Sequence, residues 1–448
     1  MKKKTLAASS SVVLSAALVL SACGATDSSK GSSAPQAGKP AQAKEFEVSF
    51  RHTQIKDNAK NRMAMFMDVL KEVEGNVPGL KFVPEGVDGT VNRQTKLKAE
   101  FAAGSPPKIF EVFGGSDTRN FVKTGNMLDI TPIIEELGLK DKLIDFSEFT
   151  VNGKIYGLPM AGSVQGVFYN KKIFADLGVG VPKTWDEFLA ICEKAKAKGI
   201  TPLTLGAIDA WSLNMIPSTV MVRLGGPEVV QGFVTGQTKW TDPEVVKGFE
   251  MVENLIKKGY YTQNALGLKY PEAQAKFASG EAAMAFDGSW ANATYADPSK
   301  SSIVDSLGFF NFPNLGGKGD NMVNGAFSNG FGFSAKVDEN EKKAIKEFIK
   351  VFFSEKYQKR QLIEDGYFPA IKLTDMSGVK PIIQEINKSI DGLKLFPAFD
   401  SIVQPKIKSD LEAGMQQVLG GKTNMKAMLE KLQQSQETEN KKSAEQAK

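Results

Sequence analysis

The alternation that begins at residue 45 most restricts what this chain can become. EFEVSF has the period-two pattern of a strand, and KNRMAMFMDVLKEVEG carries apolar residues at helical spacing and closes at Gly75. LKFVPEG reads as a second strand, RQTKLKAEFAAG as a second helix ending at Gly104, and PPKIFEVFG as a buried third strand. Strand, helix, strand, helix, strand commits a chain to right-handed crossovers and a parallel sheet covered by helices. Such sheets take ligands beyond the carboxyl ends of their strands, at the topological switch point. The predicted class is therefore α/β, and 448 residues suffice for one long domain or two smaller lobes.

A second α/β region follows. GKIYGLPMAGSVQGVFYNKKIFADLG contains strand-like runs. Thr184 and Glu187 form a capping box before a helix whose Phe188, Ile191, Cys192 and Ala195 share one face, which makes Cys192 a core residue. Thr241, Asp242 and Pro243 start VVKGFEMVENLIKKG by a cap and a first-turn proline. YPEAQAKFASGEAAMAFDGSW reads as helix, stop at Gly280, short strand and Asp-Gly turn, with Ser289 placed to cap a helix starting at Trp290. SNGFGFSA is a strand and ENEKKAIKEFIKVFFSE a helix. Leu411, Met415, Val418 and Leu419, then Met425, Met428, Leu429 and Leu432, form the stripe of closing helices. Residues 433–448 are polar and read as a frayed tail.

The first 44 residues are of another kind. MKKK precedes an uncharged, serine-broken run whose most apolar part, SVVLSAALVL, falls well short of the roughly 20 residues a spanning helix needs. Residues 1–22 read as a secretory signal peptide. Leu20-Ser21-Ala22-Cys23-Gly24 resembles the lipobox of bacterial lipoproteins, which implies cleavage before Cys23 and a diacylglyceryl group on its sulfur. Residues 23–44 then form the lipidated cysteine and a Ser/Ala/Gly/Pro/Lys tether with a reach of about 25 Å. Gly24 and the long tether suit a Gram-positive cell surface.

Losing residues 1–22 removes three lysines and no acids, so the formal charge of +5 falls to +2. Lysines and acids are interleaved along the remainder, which points away from nucleic acid as a partner. With Cys23 acylated, Cys192 has no disulfide partner. His52 is the sole histidine, and no GxSxG is present, which disfavours metal sites with two His ligands and His-based triads. No cofactor is expected.

Five segments carry a resemblance: PPKIFEVFGGSDTRNFVKTGNMLDITP, GKIYGLPMAGSVQGVFYNKKIF, VPKTWDEFLAICEKAKAKGITPL, KFASGEAAMAFDGSW and VLGGKTNMKAMLEKLQQ. In this order, behind a lipobox, they resemble the extracellular solute-binding proteins of bacterial ABC importers, in the class that includes maltose-binding protein. The likeness runs from about residue 45 to 432. It implies a two-lobed periplasmic-binding-protein-like fold, each lobe a mainly parallel sheet flanked by helices, with cleft and hinge between. Lobe I would comprise 45–158 plus about 320–370, and lobe II 159–319 plus about 371–432, with crossings near 155–162 and 315–326. It further implies a monomer, lipid-anchored on the outer face of the cell membrane. Such a receptor captures a carbohydrate by hinge closure and delivers it to a pair of ABC permease subunits without turning it over.

Sugars present apolar C–H faces and a rim of hydroxyls, so aromatic residues beside carboxylates or amides in loops are the candidate contacts. FDGSW offers Trp290 and Asp287, and AIDAWSLNM offers Trp211 with Asp209 beside it. FGGSDTRNF offers Phe113, Ser116 and Asp117; RHTQIKD offers His52 and Gln54. Ser163, Asn329 with Ser328, and Tyr367 with Phe368 complete the set. Each has a structural alternative: helix packing for the tryptophans, a turn for Asp287, a solvated loop for His52 and Gln54. Phe113 stands where maltose receptors carry tryptophan and Ser163 where they carry an acid, so their ligand is not implied. The alternatives are a receptor of this fold for a non-sugar solute or for a sensor, and a secreted glycoside hydrolase built on two carboxylates. No cationic cluster is visible, so free phosphate should bind poorly.

Overall fold

The computed structural model describes residues 44–56 and 59–445. The signal peptide, Cys23 and all but the last residue of the tether lie outside that range. The expected opening alternation forms: strands Phe46–His52, Leu80–Gly86 and Ile109–Phe113 pair in parallel, with the helix Lys60–Asn76 between the first two. Met65, Phe66, Val69, Leu70 and Val73 are the apolar stripe of that helix and all are buried. The first sheet has five strands, in the order Leu80–Gly86, Phe46–His52, Ile109–Phe113, Asn329–Phe333, Gly157–Pro159. One apolar core is built on it, around Val48, Phe50, Phe66, Phe331, Phe348 and Phe352.

The second sheet is organised on the long strand Ala161–Asn170, which carries Ala282–Gly288, Leu307–Phe310, Met322–Ala326 and Phe368–Pro369 as antiparallel partners. Thr201–Leu203 and Lys394–Phe396 add parallel pairs at its margins. The α/β class and the two lobes stand, but pairing is mixed rather than mainly parallel. The cause is local: strands that return from the other lobe enter without a helical crossover, and antiparallel pairing needs none. A second core forms around this sheet, with Phe188, Phe233, Trp240, Phe249, Leu411 and Met415 at its centre. Cys192 is fully buried there, on the face shared by Phe188, Ile191 and Ala195. Burial pushes its thiol up to about 12, so it is an inert core residue.

The chain passes between the sheets at Met160 and again at Phe327 and Ser328. These two passages touch, since Met160 N donates to Asn329 O at 2.9 Å. Gly162 lies flat against the Phe327 ring, where any side chain would collide with it. Among the described residues, no helix is long and apolar enough to cross a membrane.

Several local expectations are corrected. The Thr184 capping box is made. Asp242, by contrast, does not cap Pro243–Lys257; its carboxylate turns back to accept from Lys239 N at 2.8 Å. Asp287 and Gly288 belong to the strand end rather than to a turn. Ser289 caps nothing, its hydroxyl accepting from Val164 N at 3.4 Å. The tail is ordered to Glu445 as part of the helix Met425–Glu445. Gln436 is buried there and its Oε1 accepts from Trp240 Nε1 at 3.2 Å, and with Gln433 and Asn440 it supplies polar contacts with the core where the apolar stripe stops.

Candidate functional site

Three aromatic rings gather where the second sheet ends. Trp211 lies in the short helical turn Ala210–Asn214, Tyr270 opens the helix Tyr270–Ala278, and Trp290 lies in the turn Ser289–Ala291 that follows the strand Ala282–Gly288. The Trp211 ring is 4.7 Å from Tyr270 and 6.3 Å from Trp290, centroid to centroid. Both tryptophans are only partly buried, whereas Tyr270 is buried behind them. The Trp290 ring lies over Gly288, with no space for a Cβ.

Asp287 does not reach this surface. It is 2 % exposed. Its carboxylate accepts from Tyr270 Oη at 2.6 Å, Tyr295 Oη at 2.8 Å, Gly288 N at 2.7 Å and Gln274 Nε2 at 3.3 Å. All its acceptor positions are taken, so it is withdrawn as a ligand contact. Burial raises its pKa to about 6 against the opposing pull of those hydrogen bonds. Asp209 is likewise engaged, accepting from Tyr270 N at 2.8 Å and approached by Lys56 Nζ at 3.5 Å.

In the first lobe, Phe113 ends its strand, and Ser116 and Asp117 open the helix Ser116–Val122. The Arg93 guanidinium covers the Phe113 ring at 3.8 Å. It pairs with Asp117 and with Asp400, the latter at 3.0 Å, and also donates to the Asp400 carbonyl at 3.1 Å. Arg93 belongs to the first lobe and Asp400 to a segment anchored in the second core by Phe399 and Val403. The pair therefore ties the lobes together. Sequence reasoning passed over Arg93 because its helix looked regular. In the structure residues Asn92–Lys96 form a π-helical turn, a feature that often marks functional positions and here re-aims the arginine.

Gln54 donates to both carboxylate oxygens of Glu111, at 2.8 and 3.0 Å. His52 is 3 % exposed and its Nδ1 accepts from Gln54 N at 3.2 Å, so it supports the loop from below instead of facing a ligand. Burial lowers its pKa despite the nearby Glu111. Ser116 is buried with its hydroxyl unpartnered, and Asp117 is buried under Arg93. Ser163 is half-buried on the crossing strand and Asn329 is exposed beside Phe113 in register. Tyr367 is half-buried with the Arg62 guanidinium 3.5 Å above its ring. Ser328 is buried and donates to Glu148 at 2.9 Å, and Phe368 pairs with Gly162.

Tyr270, Arg93 and Asp400 went unnoticed in the sequence. Arg93 and Asp400 are 307 positions apart, and no local pattern connects them. The arrangement combines partly exposed aromatic faces with amides and paired charges. Because Arg93 is neutralised by two carboxylates, it offers little to a free anion. Among the described residues no group of three His, Cys, Asp or Glu is placed to hold a metal ion.

Residues 58–359 match the family described as bacterial extracellular solute-binding protein. A multiple sugar-binding protein of Streptococcus mutans is 26% identical over 346 residues, covering 75% of this chain and 78% of that protein. Diacetylchitobiose binding protein DasA of Streptomyces coelicolor is 27% identical over 288 residues, 62% of this chain and 63% of that one. A solved chitin oligosaccharide binding protein superposes with a TM-score of 0.86 at 51% identity, over 88% of this chain and 99% of its own.

Proposed function

The chain belongs to the bacterial extracellular solute-binding proteins, and from that premise we propose that it captures chitin oligosaccharides for an ABC importer. The observation that carries this reading is the partly exposed Trp211–Trp290 pair, backed by Tyr270, on a protein half identical to a chitin oligosaccharide binding protein. Sugar rings stack on such faces through their C–H groups, and acetamido substituents supply both an amide donor and an acceptor for polar partners. Nothing is turned over: the carboxylates described above are paired or buried rather than flanking an open bond to be cut. Ligand held between the lobes gains contacts from both only when they close, so binding shifts the population toward the closed form that a membrane permease pair receives. Cys23 anchors the receptor by its lipid to the outer face of the cell membrane, and the receptor works as a monomer.

Thermal unfolding with and without sugars tests the ligand. At 100 times its dissociation constant a specific ligand adds about 2.7 kcal/mol, which raises the midpoint by several degrees. Diacetylchitobiose and longer chitin oligosaccharides should do this while maltose and free phosphate do not. A shift with maltose alone would retain the receptor and overturn the substrate. Release of new reducing ends from the oligosaccharide would overturn the receptor reading itself.

A further inference from the structure

The Trp290 indole is held by a chain of hydrogen bonds that begins out of the ligand's reach. Its Nε1 donates to Tyr270 Oη at 2.7 Å, and Gln274 Nε2 donates to the same oxygen at 2.7 Å. That hydroxyl has one proton, which it gives to Asp287 Oδ1 at 2.6 Å. A hydroxyl has one donor and two acceptor positions, so Tyr270 is saturated and the direction of every bond follows from Asp287 being acceptor-only. On the other oxygen Tyr295 Oη, from the helix Asn292–Tyr295, donates at 2.8 Å. Among the described residues Asp287 is hydrogen-bonded to no Lys, Arg, Asp or Glu; what faces it from the packed elements is Tyr270, Gln274, Tyr295 and the Gly288 N–H.

We propose that Asp287 is the positioning residue of the sugar platform: from behind it, through the Tyr270 hydroxyl, it holds the Trp290 indole in its ligand-receiving orientation. This rests on the reading of Trp211 and Trp290 as the sugar surface. A buried carboxylate whose described hydrogen-bond partners are all neutral is an unfavourable element to retain in a core, and a role in fixing the ring accounts for it. When Asp287 takes up a proton it lies on Oδ2, where the Tyr295 hydroxyl can turn to accept it, because Oδ1 goes on accepting from the Gly288 N–H. The neutral Oδ1 is then a weaker acceptor for Tyr270, and the hold on the indole loosens. The pKa near 6 places that loosening just below neutral pH.

The test uses the full chain, with Asp287→Asn and Tyr270→Phe. Two readouts are taken between pH 8 and 5: the Trp290 indole N–H resonance, assigned with Trp290→Phe among the four tryptophans, and the affinity for diacetylchitobiose. In the wild type the resonance should move and the affinity fall several-fold between pH 7 and 5. In both variants the ligand-free resonance should already be displaced at pH 8, the affinity down tenfold or more, and its acid dependence gone. If Asp287→Asn does not fold, the acid-dependent movement of the wild-type resonance decides, compared with Tyr270→Phe, in which the link to Asp287 is cut. An unmoved resonance and unchanged affinity in a folded Tyr270→Phe variant would overturn the proposal and leave Asp287 a packing residue. If diacetylchitobiose does not bind the wild type, the substrate reading fails, and the ligand-free resonance by itself decides the positioning claim.

Discussion

Gly288 has no side chain because the Trp290 ring occupies that space. Gly288→Ala should therefore swing the indole off its place and lower sugar affinity tenfold or more, with a loss of stability of about 1–3 kcal/mol from overpacking. Calorimetric titration of the variant checks this, and an unchanged affinity would show that ring orientation is irrelevant. Glu148 makes a different residue-level case. Burial, reinforced by Asp400 and Asp145, raises its pKa to about 7 against the pull of the Ser328 and Ser401 hydroxyls, and its Oε2 is buried without a partner. A raised carboxylate pKa means that the folded state binds the proton more tightly. Its contribution to stability is full below the unfolded value near 4.5 and disappears as pH rises through about 7. Relative to Glu148→Gln, the wild type should thus lose up to about 3 kcal/mol between pH 4.5 and 8, measured by denaturant unfolding at each pH. A constant difference would place Glu148 in contact with water.

At the scale of elements, the two lobes meet where the turn Gly114–Gly115 faces the helix Phe399–Ile402. Gly115 has φ +67°, and a side chain there would run into the Ser401 carbonyl. Both facts require glycine. Gly115→Ala should hold this turn away from Ser401 and break the Arg93–Asp400 pair beside it, reducing ligand affinity while leaving the rings around Trp211 untouched. Small-angle scattering with saturating ligand, compared with the wild type, tests whether closure is incomplete; identical profiles would remove the contact from the closing motion. The π-turn at Asn92–Lys96 belongs to the same scale. It breaks the regular helical register that the apolar spacing predicts, and its effect is to bring Arg93 over Phe113 and between two carboxylates.

For the whole molecule, the C-terminal helix closes the second core. Trp240 is fully buried, with its backbone N–H donating to Gln433 at 2.8 Å and its indole to Gln436 at 3.2 Å. Asn440 adds a bond to Phe233 O at 2.8 Å. Removing residues 433–448 should leave the Trp240 donors unpaired and lower stability by about 2–4 kcal/mol, with sugar binding retained in the folded fraction. An unchanged unfolding midpoint would return this segment to the status of a tail.

Much of this architecture was legible along the chain. Apolar spacing placed the first three strands and the helix Lys60–Asn76, the Thr184 capping box, and Cys192 in the core, because these depend on neighbours within a turn or two. The tryptophans could be singled out by type and by their polar loops. Strand direction in the second sheet, the withdrawal of Asp287 and His52 from the surface, the neutralisation of Arg93 and the order of the tail could not. Each depends on partners brought together by packing: Arg93 on Asp400, Trp240 on Gln436, the long strand Ala161–Asn170 on strands returning from elsewhere in the chain. A carboxylate at the end of a strand reads the same in sequence whether a sugar or two tyrosine hydroxyls will meet it. What distinguishes the two is which groups occupy its few acceptor positions, and those groups arrive only when the chain has folded.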